Sequence, residues 1–244
     1  SVTFTHNATC NPDSNPVFGG QQFVCSIVDI PSDSGNLEVS VQVNNTTPSD
    51  FVHIYTVTPF VQATFGVVAA EPGSTITITG AGFGTVTPTV VLDRGSCTPR
   101  YVSKEVIECD IDAPGLDTSG PIKAIVTAND LVSNEAVVAS IRPVVNPANT
   151  RVAIDSFTSL QLTGYGLKAQ SGLPSVVLNL GSTCSVLNDT SLTGYSLTCQ
   201  IVNAPTSAGV LTAQVVASEQ VSGPAVDVRH VYPVVTNTHV VYAE

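Results

Sequence analysis

The sequence predicts an all-β chain of small sandwich domains in tandem, one disulfide to each repeat. Three observations carry that prediction. The apolar side chains are largely Val, Ile, Leu and Ala beside abundant Thr, with neither Met nor Trp among 244 residues. β-branched residues lose rotamer freedom in a helix and pack well on a pleated sheet, so this composition favours strands. A cysteine-to-proline pattern recurs three times. Short apolar runs are separated by turn residues throughout, and no stretch carries a convincing helical period.

Bulk composition narrows the function classes. Hydrophobic residues make up 43% and charged residues 11%, the opposite of a disordered chain, so a packed core is expected. The formal net charge is −11, from 19 acidic and 8 scattered basic residues. Nucleic-acid binding needs Lys and Arg to displace phosphate counterions, and an anionic membrane surface repels such a chain. No apolar run is long enough to span a bilayer.

The repeat is legible in its second half first. Cys25 leads through Ser26-Ile27-Val28-Asp29-Ile30 to Pro31, Cys109 through Asp110-Ile111-Asp112-Ala113 to Pro114, and Cys199 through Gln200-Ile201-Val202-Asn203-Ala204 to Pro205. A strand-like run follows each and closes on Pro59, Pro143 and Pro233, 34 residues after its cysteine in all three copies. Loops drift in length, so three equal separations argue for one fold copied three times. In the first halves, Val90-Val91-Leu92 precedes Cys97, Val176-Val177-Leu178 precedes Cys184, and Val2-Thr3-Phe4 precedes Cys10. Upstream, Thr75-Ile76-Thr77-Ile78-Thr79-Gly80-Ala81-Gly82-Phe83-Gly84 matches Ser159-Leu160-Gln161-Leu162-Thr163-Gly164-Tyr165-Gly166-Leu167. Alternation running into glycines reads as a strand ending in a tight turn or bulge, and Glu71-Pro72-Gly73-Ser74 reads as a type II turn before it. Successive closing prolines lie 84 and 90 residues apart, the size of a seven-stranded sandwich. The expected organisation is a partial repeat lacking its first strands at 1–56, full repeats at 57–140 and 141–230, and the first strand of a further repeat at 231–244.

These residues resemble the IPT/TIG domain, an immunoglobulin-like sandwich of plexins, growth-factor receptors and microbial surface proteins. The resemblance rests on the strand Thr75–Thr79 with its glycines Gly80, Gly82 and Gly84, then Val90-Val91-Leu92, Cys97 and Ile107-Glu108-Cys109. It is fullest in the second repeat and partial in the first. It implies an extracellular, repetitive, interaction-bearing role with no shared catalytic residues. Some intracellular transcription factors use the fold to hold DNA, but this acidic, cysteine-bearing chain is unlike them.

Six cysteines fall as one pair per repeat, spaced 15, 12 and 15 residues, so the expected disulfides are Cys10–Cys25, Cys97–Cys109 and Cys184–Cys199. Each would close a short loop between neighbouring strands, worth roughly 3 kcal/mol. Reduced, buried thiols are the alternative. Metal ligation is a poorer one, because no CxxC or close Cys/His pair occurs. N-glycosylation sequons start at Asn7, Asn44, Asn45 and Asn188. Asn7 and Asn188 flank the cysteine loops, where an exposed turn is expected.

Other constellations weigh against enzymatic chemistry. The Gly80–Gly84 run lacks both the following helix of a dinucleotide fingerprint and the Lys-Ser/Thr of a P-loop, and reads as a turn. His6, His53, His230 and His239 have no partner set for a metal or a triad, and the second repeat has no histidine. Asp110, Asp112 and Asp117 are spaced as calcium ligands can be, but the other repeats lack them, and a solvated polar loop is the simpler reading. No catalytic residue, metal site or cofactor is therefore expected. Pro59, Pro143 and Pro233 sit at junctions without a Gly/Ser linker, which favours a stiff array.

The functional expectation is a structural component of an extracellular filament, fibril or surface appendage. Its partner would be self-association or continuation of the same repeat array, with glycans possible. A receptor or adhesin ectodomain binding a protein or glycan is the alternative, and an accessory domain of an enzyme is a third, weaker one. The chain is expected to begin inside one repeat and to end inside another.

Overall fold

The computed structural model describes residues 2–12, 24–29, 31, 33–42, 46–84, 86–112 and 116–234. The chain divides into two compact units. One comprises Ser1–Gly66, Thr75–Ile111 and Ile122–Ala139, and the other Val67–Ser74, Asp112–Pro121 and Ser140–Glu244.

In the first unit the strand Thr75–Ala81 alternates buried and exposed residues, and it lies between two partners. The short strand Phe60–Val61 pairs with its glycine end, and Val106–Ile111 pairs along its length with Ile76 opposite Cys109 and Ile78 opposite Ile107. Cys97–Val102 adds the edge, antiparallel to Val106–Ile111. In a second sheet, Thr89–Leu92 runs antiparallel to the Ala124–Thr127 part of Thr118–Ala128. A two-residue turn, Asn129-Asp130, returns that strand to Leu131–Val132. Both turn residues take positive φ, 50° and 61°, the geometry that matches the twist of a tight hairpin. Ile76, Ile78, Ile107, Ile122 and Val126 are fully buried here.

The N-terminal stretch of this unit forms a three-stranded sheet of Val2–Phe4, Gly35–Val41 and Val52–Val57, with Gly35–Val41 in the middle, and a two-stranded ribbon of Thr9–Pro12 and Cys25–Asp29.

The second unit repeats the plan. Ser159–Tyr165 lies between Val144–Val145 and Ser196–Asn203, with Leu160 opposite Cys199 and Leu162 opposite Leu197, and Thr183–Val186 adds the edge. The facing sheet runs Thr150–Ala153, Val226–Tyr232, Gly209–Ala217, Ser175–Leu178. The opening segment thus divides between sheets: Val144–Val145 is antiparallel in one, and Thr150–Ala153 is parallel to Val226–Tyr232 in the other. Val67–Ala69 makes the same parallel pairing with Ser140–Arg142. Inward positions form one aliphatic core around Leu160, Leu162, Leu197, Leu211, Val215 and Val228.

The structure is all-β with one disulfide per repeat. Cys10–Cys25, Cys97–Cys109 and Cys184–Cys199 are bonded across Cα separations of 5.7, 5.4 and 5.6 Å, leaving no free cysteine. Each joins neighbouring antiparallel strands of one sheet. The first and third share a local register: Thr9 faces Asp29 and Thr183 faces Asn203, each with a bulge before the cysteine.

Burying an Ile or Leu side chain stabilises a fold by about 1.5–3 kcal/mol, and truncating one in a packed core adds a cavity term. Leu160→Ala and Ile78→Ala are therefore each expected to cost about 2–5 kcal/mol in urea unfolding. Val177→Ala, at an exposed strand position, should change stability by less than about 0.5 kcal/mol.

Candidate functional site at the repeat junctions

The glycine motif ends the strands Thr75–Ala81 and Ser159–Tyr165. A Cβ on Gly80 would collide with the carbonyl of Phe60, and one on Gly164 with the carbonyl of Val144. Only a bare α-carbon lets the opening strand lie there. Two residues on, Gly82 and Gly166 take φ of 74° and 63°, where L side chains are strained. The chain bends, and Phe83 and Leu167 enter the core.

Backbone bonds then fix each turn to the loop between the two cysteine strands. The Gly80 N–H donates to the Glu105 carbonyl at 2.9 Å and the Phe83 N–H to Lys104 at 3.2 Å. At the equivalent places, Gly164 N–H donates to Tyr195 at 2.9 Å and Leu167 N–H to Gly194 at 3.0 Å. Tyr165 and Tyr195 add an edge-to-face contact with ring centroids 5.8 Å apart.

Each turn also meets a serine from the preceding repeat. The Ser34 N–H donates to the Gly82 carbonyl at 3.2 Å, and its hydroxyl to the Ala128 carbonyl at 3.0 Å. The side-chain amide of Asn129 donates to the Ser34 carbonyl at 2.8 Å, and Asp33 bridges Phe83. In the next junction the Ser119 hydroxyl donates to the Gly166 carbonyl, while Thr118 and Ser119 pair in parallel with Lys168 and Ala169. Both serines are fully buried, and each precedes a glycine of positive φ, Gly35 at 144° and Gly120 at 113°. The prolines close both joints: a Cβ on Gly82 would stand 3.3 Å from the Pro59 Cα, and one on Gly166 3.4 Å from the Pro143 Cα. Two junctions are thus made from the same three elements.

Sequence reasoning singled out these glycines and prolines but missed the two serines. Their signal was the Ser-Gly pair whose glycine falls 10 or 11 residues after the second cysteine, at Gly35 and Gly120. The third copy has Ala208-Gly209 at that place, exposed and bordered by a groove of about 640 Å³ lined by Arg151, Gly209, Val210, His230, Val231 and Tyr232.

The other singled-out residues do not assemble. Asp110 pairs with Arg100 at 3.2 Å, and Asp117 accepts from the Thr118 hydroxyl at 2.8 Å. Among the described residues no three His, Cys, Asp or Glu side chains are placed to hold a metal. His6 lies beside Gly35, His53 is exposed, His230 is half-buried, and His239 lies outside the described residues. Asn7 is exposed on a left-handed turn with His6 (φ 55° and 57°), and Asn188 is exposed in the loop after Thr183–Val186. Asn44 and Asn45 lie outside the described residues.

Lys123, Asp189 and Arg229 depart from their ordinary ranges. The hydrogen bond and charge of Glu135, 2.8 Å away, raise Lys123. The Ser191 side chain and amide hold Asp189, beside the Asn188 sequon, below the usual carboxylate range. Burial lowers Arg229, whose guanidinium lies 5.6 Å from the Phe157 ring centroid and donates to the Thr150 hydroxyl. None of these belongs to a catalytic set.

Residues 53–140 match the family model described as the IPT/TIG domain. No curated protein matches the chain. Solved structures similar to it include SGBP-B of the Bacteroides ovatus mixed-linkage glucan utilization locus, in complex with a mixed-linkage heptasaccharide (15% identity, TM-score 0.27), where the match covers 93% of this chain and 61% of that one. An I-band fragment of titin matches at 9% identity and TM-score 0.31, over 96% of this chain and 88% of that one. The first four immunoglobulin domains of Sidekick-1 match at 12% identity and TM-score 0.25, over 95% and 67%.

A buried carbonyl stripped of its donor costs about 1–3 kcal/mol. Ser119→Ala should lose that much in thermal unfolding and speed hydrogen exchange at Leu167, whereas Ser207→Ala, at an exposed position, should change neither. Separately, Cys184→Ser with Cys199→Ser should cost about 3 kcal/mol, the loop-entropy value for a closed loop of this length.

Proposed function

From an IPT/TIG domain at residues 53–140, set in a tandem of immunoglobulin-like sandwiches, we propose that the chain is a structural segment of an extracellular filament, fibril or surface appendage. A tandem of this kind is a non-enzymatic binding or structural module. In this reading the repeats run over 1–56 (partial), 57–140 and 141–230, with 231–244 as the first strand of a further one. The observation that carries the structural reading is the junction built twice from the same parts, a glycine turn, a buried serine and a proline. A joint that buries a hydroxyl and passes through proline resists bending, as a Gly/Ser linker does not. The exposed Ala208-Gly209 stands where Ser34-Gly35 and Ser119-Gly120 stand in the two joints, and the partner in this reading is self-association or continuation of the same repeat array.

The disulfides support an oxidising, extracellular or surface location. N-glycans on Asn7 and Asn188, and on the sequons at Asn44 and Asn45, belong to the same proposal. No helix among the described residues is long and apolar enough to cross a membrane. The exposed aromatics Tyr55 and Phe65 favour a second reading, a receptor or adhesin ectodomain that uses such side chains to bind a protein or glycan.

Negative-stain microscopy of the native material tests the first reading. Long fibres with a beaded period are expected; isolated particles would overturn it and favour the ectodomain.

A further inference from the structure

The two later repeats differ at one matched place. The Ser133 hydroxyl accepts from the Val126 N–H at 2.9 Å, and the Ser222 hydroxyl accepts from the Val215 N–H at 3.0 Å in the same way. The residue after each serine is Asn134 in one copy and Gly223 in the other. Asn134 clamps the opening strand. Its carboxamide oxygen accepts from the Val61 N–H, and its amide donates to the Val61 carbonyl, each at 2.9 Å. Val145 is the counterpart of Val61: each stands two residues after its proline, Val61 opposite Gly80 and Val145 opposite Gly164. The next residue bonds the sheet identically in both copies, Gln62 N–H to the Thr79 carbonyl and Asn146 N–H to that of Thr163, each at 2.8 Å. Val145 therefore turns its own N–H and C=O the same way as Val61. Gly223 has no side chain to meet them, and among the described residues no other side chain bonds them.

At this place Glu71, Arg142, Val145, Asn146, Ser222 and Gly223 border a cleft of about 340 Å³. The half-buried Arg142 reaches Gly223, where a Cβ would stand 2.9 Å from its Nη1. Among the described residues its guanidinium has no hydrogen-bond or ion-pair partner, Glu71 included.

We propose that this cleft binds a free amino acid whose side chain ends in a primary carboxamide. Asn134 states the chemistry of that end. A primary carboxamide carries a carbonyl oxygen and an N–H on the same side, so it can meet the N–H and C=O of one residue together. A peptide-type secondary amide holds them on opposite sides, and a carboxylate has no donor. The other end of the ligand answers the two charged walls. Its α-carboxylate accepts from Arg142, which presents N–H donors only, and its α-ammonium donates to Glu71. The inference is independent of whether the array is a filament or an ectodomain.

The test titrates the full, isotope-labelled chain with L-asparagine and L-glutamine and follows its amide resonances. At least one of the two should give saturable shifts centred on Val145 and Gly223. L-aspartate and L-glutamate should bind about tenfold more weakly, as should the same carboxamides with acetylated amino and methylamidated carboxyl ends. Gly223→Asn supplies the carboxamide from the chain itself, and the nearest atoms its Cβ meets belong to the far end of the Arg142 side chain. It should abolish the shifts and raise the unfolding temperature. Arg142→Gln should weaken binding about tenfold while leaving hydrogen exchange of Ser159–Tyr165 unchanged, so that loss of binding is not loss of fold. Absence of saturable shifts at Val145 and Gly223, equal binding of the carboxylate or end-blocked ligands, or binding that Gly223→Asn leaves intact would each overturn the proposal.

Discussion

An absent Cβ governs both how each sandwich closes and how it meets the one before it. Gly80 and Gly164 let the carbonyls of Phe60 and Val144 approach where any side chain would collide. That approach attaches the opening strand to its sheet. Gly82 and Gly166 then take a left-handed turn that brings a backbone carbonyl out to the preceding repeat. One motif therefore carries two constraints, one internal and one at the joint. A sequence free to vary at the first glycine would lose the strand pairing, and one free at the second would lose the joint.

The disulfides feed the same arrangement. In antibody-type sandwiches the bridge spans the two sheets against a buried Trp. Here Trp is absent and each bridge joins adjacent strands within one sheet, so adhesion between sheets falls to aliphatic residues such as Ile76, Leu160, Leu211 and Val228. What the bridge restrains in the later repeats is the hairpin whose loop, Lys104-Glu105 or Gly194-Tyr195, accepts the hydrogen bonds of the glycine turn. A covalent staple thus positions the loop, the loop positions the turn, and the turn presents its carbonyl to a buried serine. The chain of cause runs from cysteine spacing to the joint between repeats.

This explains what could be read in the sequence. Cysteine and proline positions are set by covalent and backbone geometry local to one repeat, so the constant 34-residue interval was visible. Alternation in Thr75–Thr79 and Ser159–Thr163 gave the central strands, because one face of each is buried. The Ser-Gly pairs recurred in the sequence but their role was hidden, since the Ser119 hydroxyl finds its partner 47 residues away in another repeat. The split of the opening segment into an antiparallel and a parallel piece was equally hidden, because two- and three-residue strands such as Phe60–Val61 and Val67–Ala69 have too little length to show a period. The Asp110, Asp112 and Asp117 spacing suggested ligands. Sequence proximity does not report what a strand neighbour supplies, and for Asp110 that neighbour is Arg100, across the ladder.

A repetitive chain also carries its own reference for what a surface is missing. An exposed Ile or Val on an ordinary protein needs no explanation, because apolar atoms make up much of any folded surface. Here the comparison is sharper. Ile27 and Ile54 are exposed, whereas Ile111, Val138 and Val228 at the matching positions of the other copies are buried. Ala208 and Gly209 are exposed where Ser34 and Ser119 are sealed by a glycine turn. The exposure is therefore specific to position in the array and not to residue type.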